Sequence, residues 1–430
     1  MESITVLADD LTGANDTGLQ FFEQGFSTRV VVNSERATLK ENWVNVLNLE
    51  TRSKNEEEAR KCFEQFSTKL IDSESIVYKK VDSTFRGHIG VEIDALIEKG
   101  KFDLAIIAPS YPINGRVIRS GVQYVKEVPL HETQFAKDKQ FPIETSSVEK
   151  LLESQSKHLT RHVGFESGFS VAEIQEEIYQ AKRDGVKLLS FDTREQKDLD
   201  CIAAASLAVQ ERFFWVGSAG LANSLARVLK SKLNLHNPSS QDNRNLALDD
   251  SRFLGIVGSQ NEASNLQVNY AERNGTSITT LDPLSLTKLG LKEVEPCSLH
   301  ELEQIKDISV FSVQTQSSNS EEWAKYLSKY SYIGNLIAKG LGTLGSYLLS
   351  KHKINGIFLT GGDIAYQTCC SANIDTLNIV GRLDEGIPIC IVPKGAYKGM
   401  IVVTKAGGFG KEDSLLKAIN IINNQGGLVR

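Results

Sequence analysis

Apolar residues occur along this chain in short runs that are separated by longer segments of helical periodicity. Runs rich in apolar and β-branched residues, such as Ile4 to Ala8 and Leu104 to Ala108, predict buried strands. Residues 56–70 and 262–273 predict helices, the former with a clear apolar face. Because strands and helices alternate throughout, the sequence predicts an α/β protein with mostly parallel sheets.

The length of the chain predicts more than one domain. At 430 residues, a single hydrophobic core is less expected than two domains of roughly 200 residues each. Residues 236–250 are rich in Asn, Ser, Gln and Asp, which is the composition of a linker. We therefore predict a first domain over residues 1–235, a linker over 236–250 and a second domain over 251–430.

Composition and charge mainly exclude classes of protein. A net charge of −6 and a pI near 5.8 argue against a broad nucleic-acid-binding face. No apolar run approaches the roughly 18 residues of a membrane span, and the first ten residues lack the basic region of a signal peptide. The six cysteines show no metal-binding spacing, which fits a reduced cytoplasmic protein. The sequence leaves homo-oligomerisation open.

One polar segment of the first half, Lys79 to Gly90, lies between a predicted strand and a predicted helix. In an open α/β sheet, ligands bind at the carboxyl ends of strands. Lys80 and Arg86 can hold an anion, and nearby hydroxyl and carboxylate side chains can bind ligand hydroxyls. The segment therefore suits a small polyhydroxy acid, with an ordinary solvated turn as the alternative.

Two further strand ends carry charged residues. Asp9 and Asp10 follow the first strand and could act as a general base, metal ligands or hydroxyl acceptors. A helix is expected to continue from Leu19, with Thr12 or Asp16 as a cap. Arg52 follows another predicted strand and is a candidate clamp for a substrate carboxylate, an exposed surface arginine being the alternative.

The second half of the chain has glycine-rich corners after three predicted strands. They comprise Gly258-Ser259, Gly361-Gly362-Asp363 and Gly407 to Gly410. Glycine lets backbone amides approach phosphate oxygens, and a helix N-terminus adds a favourable partial charge. None of the corners has the Walker A or GxGxxG spacing, and each alone is an ordinary α/β loop. Together they predict a phosphate-binding region.

Taken together, these segments resemble the four-carbon acid sugar kinases. The resemblance runs from residue 4 to residue 415 in the expected order. The motifs that carry it are Asp9-Asp-Leu-Thr-Gly-Ala, Lys80-Val-Asp-Ser-Thr-Phe-Arg-Gly, Gly217-Ser-Ala-Gly-Leu-Ala, Gly258-Ser, Gly361-Gly-Asp and Lys405-Ala-Gly-Gly-Phe-Gly. It implies an N-terminal sugar-acid-binding domain, a C-terminal ATP-binding domain and phosphorylation of the 4-hydroxyl of a tetronate. On this hypothesis the active site lies in a cleft between the domains.

The resemblance also assigns residues to roles. The predicted substrate-binding residues are Asp9, Asp10, Arg52, Lys80, Asp82, Ser83, Thr84 and Arg86. The predicted ATP-binding residues are Gly258, Ser259, Gly361, Gly362, Asp363, Gly407, Gly408, Phe409 and Gly410. Asp10 is expected to accept the proton of the attacking hydroxyl, with Asp82 as second choice, and Lys80 to neutralise charge on the transferring phosphoryl group. Mg²⁺ is expected to bridge the β- and γ-phosphates, with no protein ligand assigned.

Several departures and alternatives bear on the substrate and the reaction. The family commonly has Cys-Ser where this chain has Gln260-Asn261, and Thr where it has Ile364. The branch acting on 3-oxo-tetronate resembles Cys-Ser-Thr-Phe-Asp-Ser, whereas Asp82-Ser-Thr-Phe-Arg-Gly resembles the branch acting on D-threonate or D-erythronate. Side-chain types do not distinguish those two acids. The alternatives are a 3-oxo-tetronate kinase, a nucleotide-dependent sensor without chemistry, and an aspartyl phosphatase that lacks its usual Asp-x-Asp spacing.

Overall fold

The chain divides into two compact units, each containing an α/β sheet. The computed structural model describes residues 3–36, 38–68, 75–138, 140–165, 168–233, 252–299, 307–315 and 317–423. The first unit comprises Met1–Thr28 and Thr38–Pro238, and the second comprises Arg29–Ala37 and Ser239–Arg430. The second unit thus includes a short N-terminal segment that the predicted boundaries assign to the first domain. The predicted linker over 236–250 lies outside the described residues.

The first unit contains a seven-stranded parallel sheet. With strands numbered in chain order, its members are β1 (Ile4–Ala8), β3 (Val44–Asn48), β4 (Ile76–Lys80), β5 (Leu104–Ala108), β9 (Thr160–Val163), β10 (Leu188–Phe191) and β11 (Phe213–Gly217). Their order in the sheet is β3-β1-β4-β11-β5-β10-β9. The central strands are buried along their whole length, which explains their near-continuous apolar sequences.

Helices and a small antiparallel sheet complete the first unit. The helices are α1 (Leu11–Glu23), α2 (Glu56–Ser67), α3 (Ile89–Gly100), α4 (Val148–Glu153), α5 (Val171–Arg183), α6 (Gln196–Ser206) and α7 (Ala219–Leu233). The small sheet is built from β6 (Arg116–Arg119), β7 (Val122–Val125) and β8 (Val128–Pro129). In the sequence, the alternation of Val122, Tyr124 and Val128 predicts a hairpin over residues 121–132, and β7 and β8 form one.

The second unit contains a mixed sheet. Its strands are β2 (Thr28–Val31), β12 (Phe253–Val257), β13 (Ile278–Leu281), β14 (Ile308–Val313), β15 (Gly356–Thr360), β16 (Thr376–Asp384), β17 (Ile387–Ile391) and β18 (Ile401–Lys405). Strands β13-β14-β12-β15-β18 are parallel, whereas β17, β16 and β2 follow in antiparallel pairing. The helices are α8 (Glu262–Arg273), α9 (Pro283–Gly290), α10 (Ser320–Lys329), α11 (Ile333–Lys351), α12 (Gly362–Ser371) and α13 (Ser414–Asn423).

The predicted fold class, two α/β domains with mostly parallel sheets, is confirmed. One local prediction is wrong, because α1 begins at Leu11 rather than near Leu19. Its N-cap is Asp10, whose side chain accepts a hydrogen bond from the Gly13 amide, so neither Thr12 nor Asp16 is the cap. Among the described residues, no helix combines the length and the apolar character needed to cross a membrane.

Candidate active site

The carboxyl edge of the first unit's sheet brings the predicted substrate residues together. Strand β1 runs parallel to β3 on one side and to β4 on the other, with Ala8 opposite both Asn48 and Lys80. Asp9 and Asp10 follow β1 directly, and the Arg52 amide donates a backbone hydrogen bond to the Asp9 carbonyl. Residues from three neighbouring strands therefore meet at one edge, as open α/β sheets lead one to expect.

Arg52 binds both aspartates at this edge. Its Nε and Nη2 donate to the two oxygens of Asp9 at 2.9 Å, while Nη1 and Nη2 donate to Asp10 at 2.9 and 3.2 Å. Four of its five donor hydrogens are thereby used. The guanidinium fixes the geometry of two carboxylates of the chain itself. Its role as a clamp for a substrate carboxylate stays a prediction.

The beginning of α1 places Asp10 beside a lysine. A Cβ atom added at Gly13 would lie 2.5 Å from both Asp10 Oδ1 and Lys80 Nζ, so only a glycine leaves room for them. The Lys80 side chain is almost fully buried, yet its ammonium group donates no hydrogen bond to any described residue. The Asp10 carboxylate and the Lys80 ammonium group therefore lie close to each other at the N-terminus of α1, where the helix dipole is positive.

Asp9 lies deeper than Asp10 and stays ionised. Burial alone would raise its pKa, but the positive charges of Arg52, Lys79 and Lys80 outweigh burial and lower it. Gly87, with a φ of +111°, approaches this carboxylate so closely that a Cβ there would lie 3.1 Å from Asp9 Oδ2. Positive φ and close approach together require glycine at that position of the substrate loop, residues 79–90.

A buried ion pair supports the site from below. Lys79 and Glu92 pair with each other at exposures of 0% and 1%, and Thr51 Oγ1 donates to Glu92 at 2.5 Å. Burial, followed by the nearby Asp9 charge, raises the pKa of Glu92 against the opposing effect of Lys79. Removing either partner would leave an uncompensated buried charge, so the pair fixes strand β4 to helix α3.

Within the substrate loop, Asp82 is held by its own neighbours. It accepts hydrogen bonds from Thr84 Oγ1 at 2.5 Å and from Arg86 Nε at 2.7 Å. Burial would raise its pKa, but Arg86 and Arg52 lower the pKa far below the ordinary value. A carboxylate with so low a proton affinity is a poor general base. The Ser83 hydroxyl, by contrast, makes no hydrogen bond with a described residue.

One arginine near this loop was not predicted from the sequence to be a site residue. Arg116 begins β6, and its Nε atom is buried without a hydrogen-bond partner. Burial lowers its pKa, and the charges of Asp82, Arg86 and Asp16 act on it from farther away. Its position in the sequence could have indicated a role in the site, because Arg116 ends the polar segment that follows strand β5, just as Arg52 follows β3. No recognised motif drew attention to it.

The glycine corners of the second unit also converge. Strands β12, β15 and β18 are adjacent and parallel, with Val257 opposite Thr360 and Thr360 opposite Lys405. Each corner starts just beyond this row. A Cβ at Gly407 would stand 2.1 Å from Ser259 Oγ, so the first and third corners touch. The Gly361 amide donates to the Lys405 carbonyl at 2.9 Å, which links the second corner to the third.

A buried lysine and a glutamine organise the third corner. Lys405 Nζ donates to Ser264 Oγ and to the carbonyls of Ala406 and Gly407, each at 3.1 Å. Because all three acceptors are neutral, burial lowers the pKa of Lys405 to about 8. Gln267 Nε2 donates to the Phe409 carbonyl at 3.0 Å and so fixes the end of the corner. The sequence analysis assigned neither side chain a role.

Comparison with known families agrees with this geometry. Residues 4–225 match a family described as a sugar-binding N-terminal domain, and residues 254–415 match one described as a nucleotide-binding C-terminal domain. The chain belongs to the four-carbon acid sugar kinase family. This membership confirms the resemblance inferred from the motifs, and it confirms the predicted class of enzyme, an ATP-dependent sugar acid kinase.

Relatives with named activities cover nearly the whole chain. A D-threonate kinase from Salmonella typhimurium is 28% identical over 97% of this chain and 97% of its own length. A D-erythronate kinase from Heliobacterium modesticaldum is 26% identical over 98% of this chain and 97% of its own length. A solved Salmonella typhimurium LT2 protein, provisionally described as a tRNA synthase, covers 98% of this chain and 100% of its own at 21% identity, with a TM-score of 0.77. That likeness shows the shared fold.

The departures from the family's common residues have structural explanations. Gln260 Nε2 donates to the Val313 carbonyl at 3.0 Å, and Asn261 is the N-cap of α8. Ile364 fills the space above a glycine, since a Cβ at Gly258 would lie 2.4 Å from Ile364 Cδ1. These side chains stabilise the corners themselves, so phosphate recognition can rest on backbone amides.

Proposed function

We propose that this protein transfers the γ-phosphoryl group of ATP to the 4-hydroxyl of a four-carbon sugar acid, with D-threonate the first candidate and D-erythronate the second. The observation that carries the proposal is the placement of Asp10 beside Lys80 at the start of α1. A carboxylate there can accept the hydroxyl proton while the ammonium group attracts the phosphoryl group. The named activities of the relatives support the same choice.

The roles follow from which groups are already paired. Asp10 is assigned as the proton acceptor because of its place beside Lys80, whereas Arg86 and Arg52 depress the pKa of Asp82. Among the described residues the Lys80 ammonium group and the Ser83 hydroxyl have no hydrogen-bond partner, so the first could meet the transferring group and the second could bind a substrate hydroxyl. Phosphoryl transfer needs mainly positioning and charge stabilisation, and the other paired side chains supply the rigid frame.

The nucleotide would bind at the glycine corners of the second unit. Their backbone amides and the beginning of α12 suit the phosphates, and a Cβ at Gly408 would come no closer than 3.6 Å to Asn261. Asp363 lies exposed in the first turn of α12 and would be the residue that helps to hold Mg²⁺ there. Bound between phosphates, the ion would neutralise their charge. Elsewhere, the cluster of Asp94, Glu98 and His158 is engaged by Arg60 and Lys157 and is not assigned a metal.

The substrate loop favours the threonate and erythronate branch. Three loop residues differ between the branches, namely Asp82, Arg86 and Gly87, and the first two form an ion pair with each other at 2.7 Å. Cys and Asp at these positions, as in the 3-oxo-tetronate branch, could not form that pair. We propose that this pair sets the loop conformation that suits a 3-hydroxyl rather than a 3-oxo group. We also propose a cytoplasmic location, because all six cysteines are free thiols.

An ATP-coupled screen of four-carbon acids tests the proposal. D-threonate, D-erythronate and 3-oxo-tetronate would each be supplied with ATP and Mg²⁺, and ADP release followed. Phosphorus NMR of the product would locate the phosphate. We expect turnover of D-threonate with phosphate on C4. Binding of the acid without ADP release would instead support a sensor, and preferred turnover of 3-oxo-tetronate would contradict the substrate assignment.

A further inference from the structure

Cations near the substrate loop divide into two groups. Arg52 is paired with Asp9 and Asp10, Lys79 with Glu92, and Arg86 with Asp82 and, at 3.4 Å, with Asp138. The side chains of Lys80 and Arg116 make no hydrogen bond or ion pair with any described residue. A sugar acid carries a carboxylate at the end opposite its 4-hydroxyl. Two cationic side chains, Lys80 and Arg116, are thus available for two anionic groups, the carboxylate of the acid and the transferring phosphoryl group.

Arg116 is held in place by backbone contacts. Its amide donates to the Tyr111 carbonyl at 3.1 Å, and its carbonyl accepts from the Tyr111 amide at 2.8 Å. At the far end of β6, Asp192 accepts hydrogen bonds from the amides of Ser120 and Gly121 at 2.7 and 2.9 Å. The strand that carries Arg116 is therefore anchored at both ends, and the guanidinium is presented from a rigid element.

The small sheet that carries Arg116 also contacts the substrate loop. Gln123, opposite Ile118 in the β6-β7 pairing, donates from Nε2 to the Ser83 carbonyl at 3.3 Å. The Gln123 side chain is fully buried, and its contact with Ser83 is partly buried. Arg116 consequently belongs to the same neighbourhood as Ser83 and Asp82, although no motif links it to them in sequence.

We infer that Arg116 binds the carboxylate of the sugar acid through parallel hydrogen bonds from its guanidinium group. Buried polar groups in native proteins are almost always hydrogen-bonded, so the unpartnered Arg116 Nε calls for an explanation, and a bound anion beside this guanidinium is one. A guanidinium matches a carboxylate in geometry and charge. Lys80, beside Asp10, then serves the phosphoryl group at the other end of the substrate. This inference rests on the proposed function.

The test compares Arg116→Met with Arg119→Met. Arg119 lies on the same strand, but it is ion-paired with Glu127 at 2.7 Å and stacks on Tyr124. Calorimetry would measure binding of D-threonate, of the uncharged polyol D-threitol, and of ATP with Mg²⁺. We expect Arg116→Met to weaken D-threonate binding roughly 10- to 100-fold, as for a lost charge-assisted pair. Threitol and ATP binding should stay unchanged, and Arg119→Met should match the wild type.

Further arms separate a binding role from a structural one. Added guanidinium ion, at concentrations well below those that unfold the protein, should partly restore D-threonate binding to Arg116→Ala. If Arg116→Met unfolds, Arg116→Lys keeps the charge and should lose less affinity for the acid than Arg116→Ala. Equal acid affinity in Arg116→Met and Arg119→Met would overturn the inference alone. Absence of binding and turnover of every four-carbon acid by the wild type would overturn the proposed function, and this inference with it.

Discussion

The two candidate binding regions differ in how they are built to meet an anion. In the first unit, charged side chains are arranged in pairs around the strand ends, and the Lys80 and Arg116 side chains are not paired with any described residue. In the second unit, the corners rely on glycines, backbone amides and neutral hydrogen-bond partners. The first region should therefore respond most to changes of charge at constant size, and the second to added volume.

The largest effect is expected from a change of charge at constant size. Asp10→Asn should lower kcat by roughly 10²–10⁴-fold, because an amide cannot take up the hydroxyl proton. Asparagine is also a good N-cap, so α1 and its bond from the Gly13 amide should persist. Steady-state kinetics with calorimetry for both substrates would measure the change, which should leave both binding constants nearly unaltered.

Asp82→Asn is the matched control in the substrate loop. It should disturb the Arg86 contact and raise KM for the acid, with a smaller loss of kcat, because Asp82 has little affinity for a proton. If Asp82→Asn has a severely reduced kcat while Asp10→Asn turns over normally, Asp82 is the proton acceptor and Asp10 is not. If neither variant loses more than a few-fold, positioning without a carboxylate base carries the reaction.

Added volume should disable the second region instead. Gly408→Val should raise the Kd for ATP at least about 100-fold, the equivalent of losing roughly 3 kcal/mol of phosphate contacts. A Cβ at Gly408 meets Asn261 no closer than 3.6 Å, so the fold should tolerate the substitution. Calorimetry should show that Gly408→Val loses ATP binding and keeps D-threonate binding.

Gly407→Ala provides a contrasting control for that corner. Its Cβ would stand 2.1 Å from Ser259 Oγ, so it should lower the melting temperature as well as ATP affinity. Normal ATP binding by Gly408→Val would make the third corner a structural turn only and would break the contrast between the two regions.

The sequence predicted those elements of the fold whose structure follows from nearby residues, and it failed where the structure depends on packing with distant residues. Strands such as Ile4–Ala8 and Phe253–Val257 are buried and parallel, and their apolar runs identify them directly. The first turns of α1 contain glycine and asparagine, which are weak helix formers, and they are helical because that segment is capped and buried. Strand β16 escaped prediction because irregularities near Gly381 interrupt its alternation.

The site residues were identifiable from the sequence, but their partners were not. The position of Asp10, Arg52 and Lys80 after predicted strands suggested that they would meet. That Arg52 would bind the chain's own aspartates depends on the register of β1 and β3, which composition does not specify. The same applies to Lys405, whose burial among neutral oxygens follows from the packing of α8 against the third corner.

The buried lysine of the second region sharpens the comparison through its pH dependence. Burial holds the pKa of Lys405 at about 8 in the folded protein, against about 10.4 when unfolded. Between these values the unfolded chain binds a proton that the folded chain lacks, so the free energy of unfolding rises with pH. The difference in the free energy of unfolding between the wild type and Lys405→Met should therefore shift by about 2 kcal/mol in favour of the wild type between pH 8 and pH 10.

Denaturant unfolding of both proteins at several pH values would measure this gain. The subtraction removes the tyrosines and other lysines that titrate in the same range. If the difference in the free energy of unfolding between the two proteins does not change with pH, Lys405 keeps its proton in the folded protein, as it would beside an anionic partner. The second region would then resemble the first in depending on paired charge.

The smallest effect is expected where this chain departs from its family. Asn261 caps α8 through the Ala263 amide at 3.1 Å, and serine is an equally good cap, so Asn261→Ser should change stability by less than about 0.5 kcal/mol. If the corners bind phosphate through backbone amides, the Kd for ATP should also stay within about two-fold, equivalent to less than about 0.5 kcal/mol. Calorimetry and thermal unfolding would measure both. A clear gain in ATP affinity would show that a serine hydroxyl contacts the nucleotide, and that the second region also recognises its ligand through side chains.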